Sequence, residues 1–144
     1  MSQSEQVSGN EKRKIRSTTR LYAIQALFQM EQLGLSTDEV VEEFVVHRFG
    51  EEYEEGQLSD GDEALFKSIV ESAVNYQAYI DQLTDRALVK KWPIARIDPT
   101  LRSLFRAAAA EITQIKTPPK IVITEYVALA HAFFTDGKEP NFVN

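Results

Sequence analysis

The sequence contains no cysteine, so disulfide bonds, zinc–thiolate sites and thiol catalysis are excluded. It has two histidines, His47 and His131, and neither lies in a metal-binding spacing such as H-E-x-x-H. Glycine-rich phosphate loops, the G-x-S-x-G elbow and the dinucleotide fingerprint are also missing. Adjacent carboxylates occur in an acidic, solvated loop, which is a poor setting for acid–base catalysis. We therefore predict no catalytic residues, no metal site, no cofactor and no enzymatic activity.

Long apolar runs are missing as well. No stretch approaches the roughly 18 apolar residues that a membrane-spanning helix needs, and the polar N-terminus has no apolar core of a secretory signal. With the absence of cysteine, this predicts a cytoplasmic protein that does not enter a membrane. The 144 residues, 43% hydrophobic and 26% charged, suffice for one globular domain with a buried core.

The net charge of −6 conceals an uneven distribution. Residues 12–20 hold five basic side chains and no acid, whereas residues 31–63 hold twelve acids and one base. A second basic segment covers residues 86–120, where Asp98 and Glu111 are the only acids. Such segregation creates local fields that attract a charged partner. The alternative for each charge run is a merely solvated face.

The clearest single element lies within residues 92–115. Asp98 is placed to cap a first helical turn, and Pro99 suits the first helical position. The apolar residues then recur at steps of three and four: Ile97, Leu101, Leu104, Phe105, Ala108, Ile112 and Ile115. This spacing predicts one buried helical face, with Arg102 and Arg106 together just off it. The Thr-Pro-Pro sequence that follows ends the helix.

The other segments show helical periodicity too. We predict that Ser36 or Thr37 caps the second helix. Asp60 with Glu63 is interpreted as a capping box at the third helix and not as part of an EF-hand. The third helix is long, and we expect a break near 81–84. No strand pattern persists, so the predicted fold is all-α.

The predicted architecture is a compact bundle of about six helices. Residues 1–11 are polar and rich in Gly, Ser and Gln, which predicts a disordered tail. A single helical domain then spans residues 12–144, and its last clear helix covers roughly 119–134. Glu125 lies among apolar residues of that helix, and we expect it to bond with an earlier helix.

The first helix, predicted to end at Gly34, carries a stripe that changes character along its length. Arg13, Arg16 and Arg20 share this stripe with core residues further on. Because a core does not accept unpaired guanidinium groups, we predict that this basic end projects beyond the bundle. A projecting basic end suits a phosphate backbone, and the alternative is a frayed, solubilising helix start.

Single-stranded RNA is bound through phosphate charge and stacking of exposed bases. The N-terminal cluster supplies candidate phosphate contacts: Arg13, Lys14, Arg16 and Arg20. Tyr22 lies off the inferred core stripe and is the stacking candidate. A second candidate RNA-binding cluster follows later in the chain: Arg86, Lys90, Arg102 and Arg106. Trp92 beside these cations fits either a core anchor or a stacking platform.

Four blocks resemble the NusB family of transcription antitermination factors. Residues 20–28 resemble R-x-x-A-x-Q-A-L-Y, and residues 92–115 resemble W-x-x-x-R-I…LR…A-x-E-[LI]. Residues 118–134 resemble P-x-K-V-x-I-N-E-x-V-E-L-A-K-x-F, and residues 140–144 resemble K-F-V-N. The blocks occur in the family's order and span most of the chain.

The resemblance implies an all-helical, NusB-like factor that binds boxA RNA together with NusE, a small-subunit ribosomal protein. Such factors join complexes that let RNA polymerase read through terminators, notably on ribosomal RNA operons. The family's arginine-rich RNA-binding segment aligns with Arg16 and Arg20, and less directly with Arg13 and Lys14. The surface that faces NusE is expected on the C-terminal helices.

Some features depart from the family pattern. Phe28, Ala110 and Thr124 replace a frequent tyrosine, a tyrosine and an asparagine, and the family's final helix after F-V-N is not in these 144 residues. Two alternatives stay open: a protein–protein adaptor without an RNA role, and a NusB-like accessory domain of an rRNA methyltransferase system. The sequence does not decide between a monomer and a homodimer.

Overall fold

The computed structural model describes residues 9–49, 62–88 and 97–133, together with the backbone of 52–53 and 56–57. Its elements are α1 (Gly9–Leu33), α2 (Thr37–His47), β1 (Glu52–Tyr53), β2 (Gly56–Gln57), α3 (Glu63–Asn75), α4 (Gln77–Ala87), α5 (Pro99–Ala110), a π-helical turn (Glu111–Ile115) and α6 (Pro119–Phe133). The predicted all-α bundle of about six helices is confirmed. The two-residue strands pair antiparallel and form the one departure from helix in the described elements.

Helix α1 is the element around which the bundle is built. It packs most extensively against α5 and α3, and it also contacts α2 and α6. An aromatic cluster joins α1, α2 and α3, with ring centroids of Tyr22 and Phe44 6.0 Å apart and those of Phe44 and Phe66 5.5 Å apart. Leu104 of α5 is fully buried, which confirms the helical phase predicted for that segment.

Several local signals in the sequence act as predicted. The Asp98 carboxylate accepts hydrogen bonds from the backbone N–H groups of Thr100 and Leu101, at 2.8 and 3.4 Å. Ser36 caps α2 by accepting from the N–H of Glu39 at 3.2 Å. Gly34 ends α1 with a φ of 67°, a conformation that glycine adopts without steric cost.

Other boundaries differ from the predictions. Helix α1 already begins at Gly9, inside the segment predicted to be disordered. The third predicted helix breaks at Tyr76 and not near 81–84. Its N-cap is Asp62, whose carboxylate accepts from Leu65 N–H at 2.9 Å. Asp60, which the sequence predicts to form a capping box with Glu63, lies outside the described residues.

Helix α5 continues into a single π-helical turn at Glu111–Ile115. The N–H of Thr117 donates to the carbonyl of Glu111 at 2.9 Å, and Lys116 closes the turn with a φ of 68°. A π turn inserts an extra residue and thereby reorients the side chains that follow. Glu111 is the first residue of this turn, and its fully buried side chain accepts hydrogen bonds from α1 and α6.

None of the described helices has the length and apolar character needed to cross a bilayer. Among the same residues, no group of three or more acidic or histidine side chains is placed to hold a metal ion. Some sequence-based predictions concern residues outside the described ranges. These are Lys90, Trp92 and the C-terminal block at 140–144.

Candidate nucleic-acid interface

The first two turns of α1 present exposed cations. Lys12, Lys14 and Arg16 are all exposed, and among the described residues none of them makes an ion pair or a side-chain hydrogen bond. The start of the helix extends beyond the part of α1 that is buried, which begins at Thr19. The predicted projection of the basic end is therefore confirmed for these residues.

Arg13 differs from its neighbours because it has a partner on α6. Its Nε donates to Oε1 of Glu125 at 2.8 Å, and the Arg13 side chain remains 64% exposed while that of Glu125 is 10% exposed. The predicted bond between Glu125 and an earlier helix is thus confirmed. The positive charge of Arg13 is therefore balanced by a carboxylate of the same protein.

The prediction that Arg20 projects from the bundle is wrong. Arg20 is 4% exposed, and its Nε and Nη2 donate to the two Glu111 oxygens at 2.7 and 3.0 Å. A bidentate carboxylate satisfies the guanidinium, so the core accommodates the charge. A protein core excludes an unpaired guanidinium group, but Arg20 is paired. Its partner, Glu111, lies 91 residues away in the sequence, so no local pattern indicated the pair.

Glu111 accepts two further hydrogen bonds. The hydroxyl of Tyr126 donates at 2.6 Å and the hydroxyl of Thr117 at 3.0 Å. Burial raises the pKa of Tyr126 well above its usual value, and the Glu111 charge raises it further because it disfavours a phenolate. For Arg20, burial alone lowers the pKa, but the hydrogen bond and charge of Glu111 outweigh it and raise the pKa.

The prediction that Tyr22 lies away from the core is also wrong. Tyr22 is 6% exposed and packs edge-on against Phe44 and Phe49. The buried face of α1 is wider than the inferred stripe because α2 and α3 cover a second side of the helix. Tyr22 is therefore not placed to stack on a base.

Two of the four residues in the second predicted cluster, Arg102 and Arg106, are paired with acids. Arg102 forms an ion pair with Glu31, and Arg106 bridges Glu31 and Asp81 at 3.0 and 2.9 Å. The hydrogen bond from Arg102 lowers the pKa of Glu31 and raises that of Arg102. Arg86 at the end of α4 is exposed, and its predicted RNA role stays a prediction.

The structure adds a cavity that the sequence did not reveal. It has a volume of about 330 Å³ and lies between α1, α5, the end of α2 and the end of α6. Its lining combines aromatic, amide and guanidinium groups: Ile24, Gln25, Phe28, Gln29, Arg48, Thr100 and Phe133. Oε1 of Gln25 is shielded from solvent and has no hydrogen-bond partner among the described residues. The one sequence feature at this cavity is the Q-A-L-F block, and its apolar spacing predicts buried core residues and not the lining of a cavity.

Comparisons with known proteins agree with this architecture. A model of the NusB family matches residues 17–144. The transcription antitermination protein NusB of Granulibacter bethesdensis is 43% identical over 141 residues, covering 94% of this chain and 86% of the relative. The NusB of Maricaulis maris is 41% identical over 132 residues, covering 91% and 82%.

Two solved structures share the fold. One is the crystal structure of the antitermination factors NusB and NusE in complex with dsRNA, with a TM-score of 0.73, 23% identity and 90% of each chain covered. The other is the crystal structure of a plectonemic RNA supercoil, with a TM-score of 0.73 and 24% identity over 90% of this chain and 88% of that one. The family model and the curated relatives, which match nearly the whole length, show that this chain belongs to the NusB family.

Proposed function

We propose that this protein is a non-enzymatic transcription antitermination factor that binds a boxA-type single strand of RNA. The observation that carries the proposal is the continuity of one face of α1. Lys14 lies at its exposed start, and Gln25 and Phe28 line the cavity further along it. The spacing of eleven and three residues keeps these side chains on one side of the helix.

The exposed cations supply the phosphate contacts, Lys14 from this face and Arg16 from another side of the same helix start. Lys14 and Arg16 have no carboxylate partner among the described residues, so a phosphate does not have to displace one. Such contacts position a strand and add salt-dependent affinity, but they do not distinguish one base from another. Arg20 and Tyr22 are not included because both are buried.

The cavity supplies the contacts that read bases. Phe28 and Phe133 offer aromatic faces, and Gln25 and Gln29 offer amide groups that match the hydrogen-bonding edge of a base. Oε1 of Gln25 is unpaired but shielded, so it gains a hydrogen bond from a donor such as an exocyclic amino group only when the Gln25 side chain turns into the cavity. Lys14 and Gln25 are about 16 Å apart along the helix axis, which requires several nucleotides to span.

The protein partner follows from the related proteins. Both curated relatives are named transcription antitermination proteins, and one structural relative was crystallised with NusE and RNA. We propose that NusE binds the C-terminal helices, where Ile121 and Ile123 of α6 are 46% and 40% exposed. Assembly into an RNA polymerase complex in the cytoplasm belongs to the same proposal.

The first test replaces Lys14 and Arg16 with alanine. Both substitutions should weaken a boxA-type strand and a scrambled strand alike, because phosphate contacts are common to both. The slope of log K against log[salt] should become shallower by about 1.4 for two lost contacts on a single strand. Fluorescence anisotropy across a salt series measures both quantities.

Three variants complete this experiment. Lys67→Ala removes an exposed cation from α3 and should change neither affinity nor slope. Phe28→Ala should weaken both strands, since stacking is worth about 1–3 kcal/mol per base and tolerates any base, whereas Gln29→Ala should reduce the preference for boxA over the scrambled strand. If Lys14 and Arg16 prove dispensable while Arg86→Ala weakens binding, the RNA site lies at the second cluster. If no RNA binds, the protein is an adaptor.

A further inference from the structure

We propose that Glu125 sets an upper limit on RNA affinity by acting as a built-in competitor of phosphate for Arg13. The inference rests on the proposed RNA-binding function and adds a residue that opposes it. Of the four cations at the start of α1, Arg13 alone has an internal carboxylate partner among the described residues. The sequence places Arg13 in the phosphate-binding cluster, whereas the structure places it in a neutral pair.

The geometry favours retention of the pair when RNA approaches. Glu125 is anchored on α6 and its side chain is 10% exposed, whereas Arg13 reaches it from α1 with a 64% exposed side chain. If Arg13 moved to a phosphate, it would leave a nearly buried carboxylate without its hydrogen-bond donor. Such a loss is unfavourable, so Arg13 remains with Glu125.

The neighbouring charges do not release Arg13 either. Glu125 also interacts favourably with the buried Arg20, but Arg20 is already balanced by its bidentate bond to Glu111. These four side chains carry two positive and two negative charges, so they sum to zero. The cations left for phosphates at this helix start are therefore Lys12, Lys14 and Arg16.

The consequence for binding can be measured as a change in the number of counterions that the RNA releases when the protein binds. Affinity for a single strand changes with salt with a slope of about −0.7 per neutralised phosphate. A neutral Arg13–Glu125 pair adds nothing to this slope. Glu125→Gln removes the negative charge but keeps an oxygen that can accept the hydrogen bond from Arg13. The positive charge of Arg13 is then no longer neutralised, and it becomes one additional cation that can contact a phosphate.

The decisive experiment compares the parent with Glu125→Gln, Arg13→Ala and the double variant, using a boxA-type strand and an oligouridylate. Glu125→Gln should bind both strands more tightly at low salt, with a slope steeper by about 0.7. Between 50 and 200 mM salt it should lose about 2.6-fold more affinity than the parent. The double variant should return to the parent slope because the additional cation is gone.

Arg13→Ala gives an independent check because it removes the cation itself, and circular dichroism verifies that the fold tolerates the loss of the Glu125 partner. Its slope should stay close to that of the parent. If Arg13→Ala instead flattens the slope by about 0.7 and Glu125→Gln leaves it unchanged, Arg13 already binds phosphate and the proposal is overturned. Failure of the RNA-binding function itself looks different, because then neither the parent nor the Lys14 and Arg16 variants show salt-dependent binding.

Discussion

At the residue scale, Tyr126 connects the buried network to pH. Its folded-state pKa lies above the value of about 10 expected in an unfolded chain, because burial and the nearby Glu111 both disfavour the phenolate. A raised folded pKa means that the folded state holds the proton more tightly. The corresponding stability is fully present below pH 10 and is lost as the pH rises through the folded pKa.

This predicts a specific alkaline response. The free energy of unfolding should fall above about pH 10, and Tyr126→Phe should remove part of that fall. At neutral pH the same substitution should cost about 1–3 kcal/mol, because Glu111 loses one of its donors. Urea denaturation at pH 7 and above pH 10 measures both effects, with the exposed Tyr76→Phe as control. Equal alkaline losses in the two variants would contradict the assignment.

The sequence predicts a residue's role correctly where that role is set by residues nearby in the chain. Asp98 caps a helix that starts one residue later, and Leu104 is buried because apolar residues surround it at helical spacing. Arg20 was misplaced because its partner, Glu111, comes from a distant part of the chain. Glu125 was correctly expected to have a partner, but nothing local identified Arg13 as that partner.

At the element scale, the π turn after α5 joins the helices that carry the proposed site. Glu111 begins this turn, and its carboxylate receives donors from Arg20 of α1 and Tyr126 of α6. A regular α-helical continuation would turn the following side chains by about 100° per residue, whereas the inserted residue shifts this register. The Glu111 carboxylate thus links α1, and with it the basic helix start, to α6.

Removal of the carboxylate should therefore be costly. Glu111→Ala leaves the buried Arg20 without a counterion and should lower the free energy of unfolding by about 3–5 kcal/mol. Combining Arg20→Met with Glu111→Leu and Tyr126→Phe should recover part of this loss, since an apolar cluster needs no counterion and leaves no Tyr126 hydroxyl without its acceptor. Urea denaturation measures both variants. A loss for Glu111→Ala below about 1 kcal/mol would show that the Arg20 charge is solvated.

Some helix boundaries can be predicted from the sequence and others cannot. Gly34 and Ser36 mark their boundaries by backbone conformation and capping, and both were predicted. The break at Tyr76 was misplaced because no glycine or proline marks it and the apolar spacing continues from Ala73 to Ile80. The cavity beside α1 could not be predicted, because segments from four parts of the chain form it.

At the scale of the whole molecule, the charge distribution and the apolar surface indicate two separate binding regions. The net charge of −6 does not prevent RNA binding, because Lys12, Lys14 and Arg16 lie together at the start of α1 with no acidic partner among the described residues, while acids neutralise Arg102 and Arg106. Fields of this kind act over about a Debye length of 8–10 Å, so the local cluster matters more than the sum. The exposed apolar side chains on α6, Ile121 and Ile123, form the second region, for which NusE is the proposed partner.

The separation of these regions leads to a reciprocal prediction. Ile121→Ser with Ile123→Ser should weaken the proposed NusE contact, since these side chains are exposed in the free protein and an apolar contact would bury them. RNA affinity and its salt slope should remain those of the parent. Lys14→Ala with Arg16→Ala should give the opposite result, with weaker RNA binding and unchanged NusE binding. Calorimetric titration of each double variant with NusE and with a boxA-type strand measures all four quantities. If the isoleucine variants lose RNA binding while their circular dichroism and melting temperature match the parent, Ile121 and Ile123 belong to the RNA surface and the two regions are one.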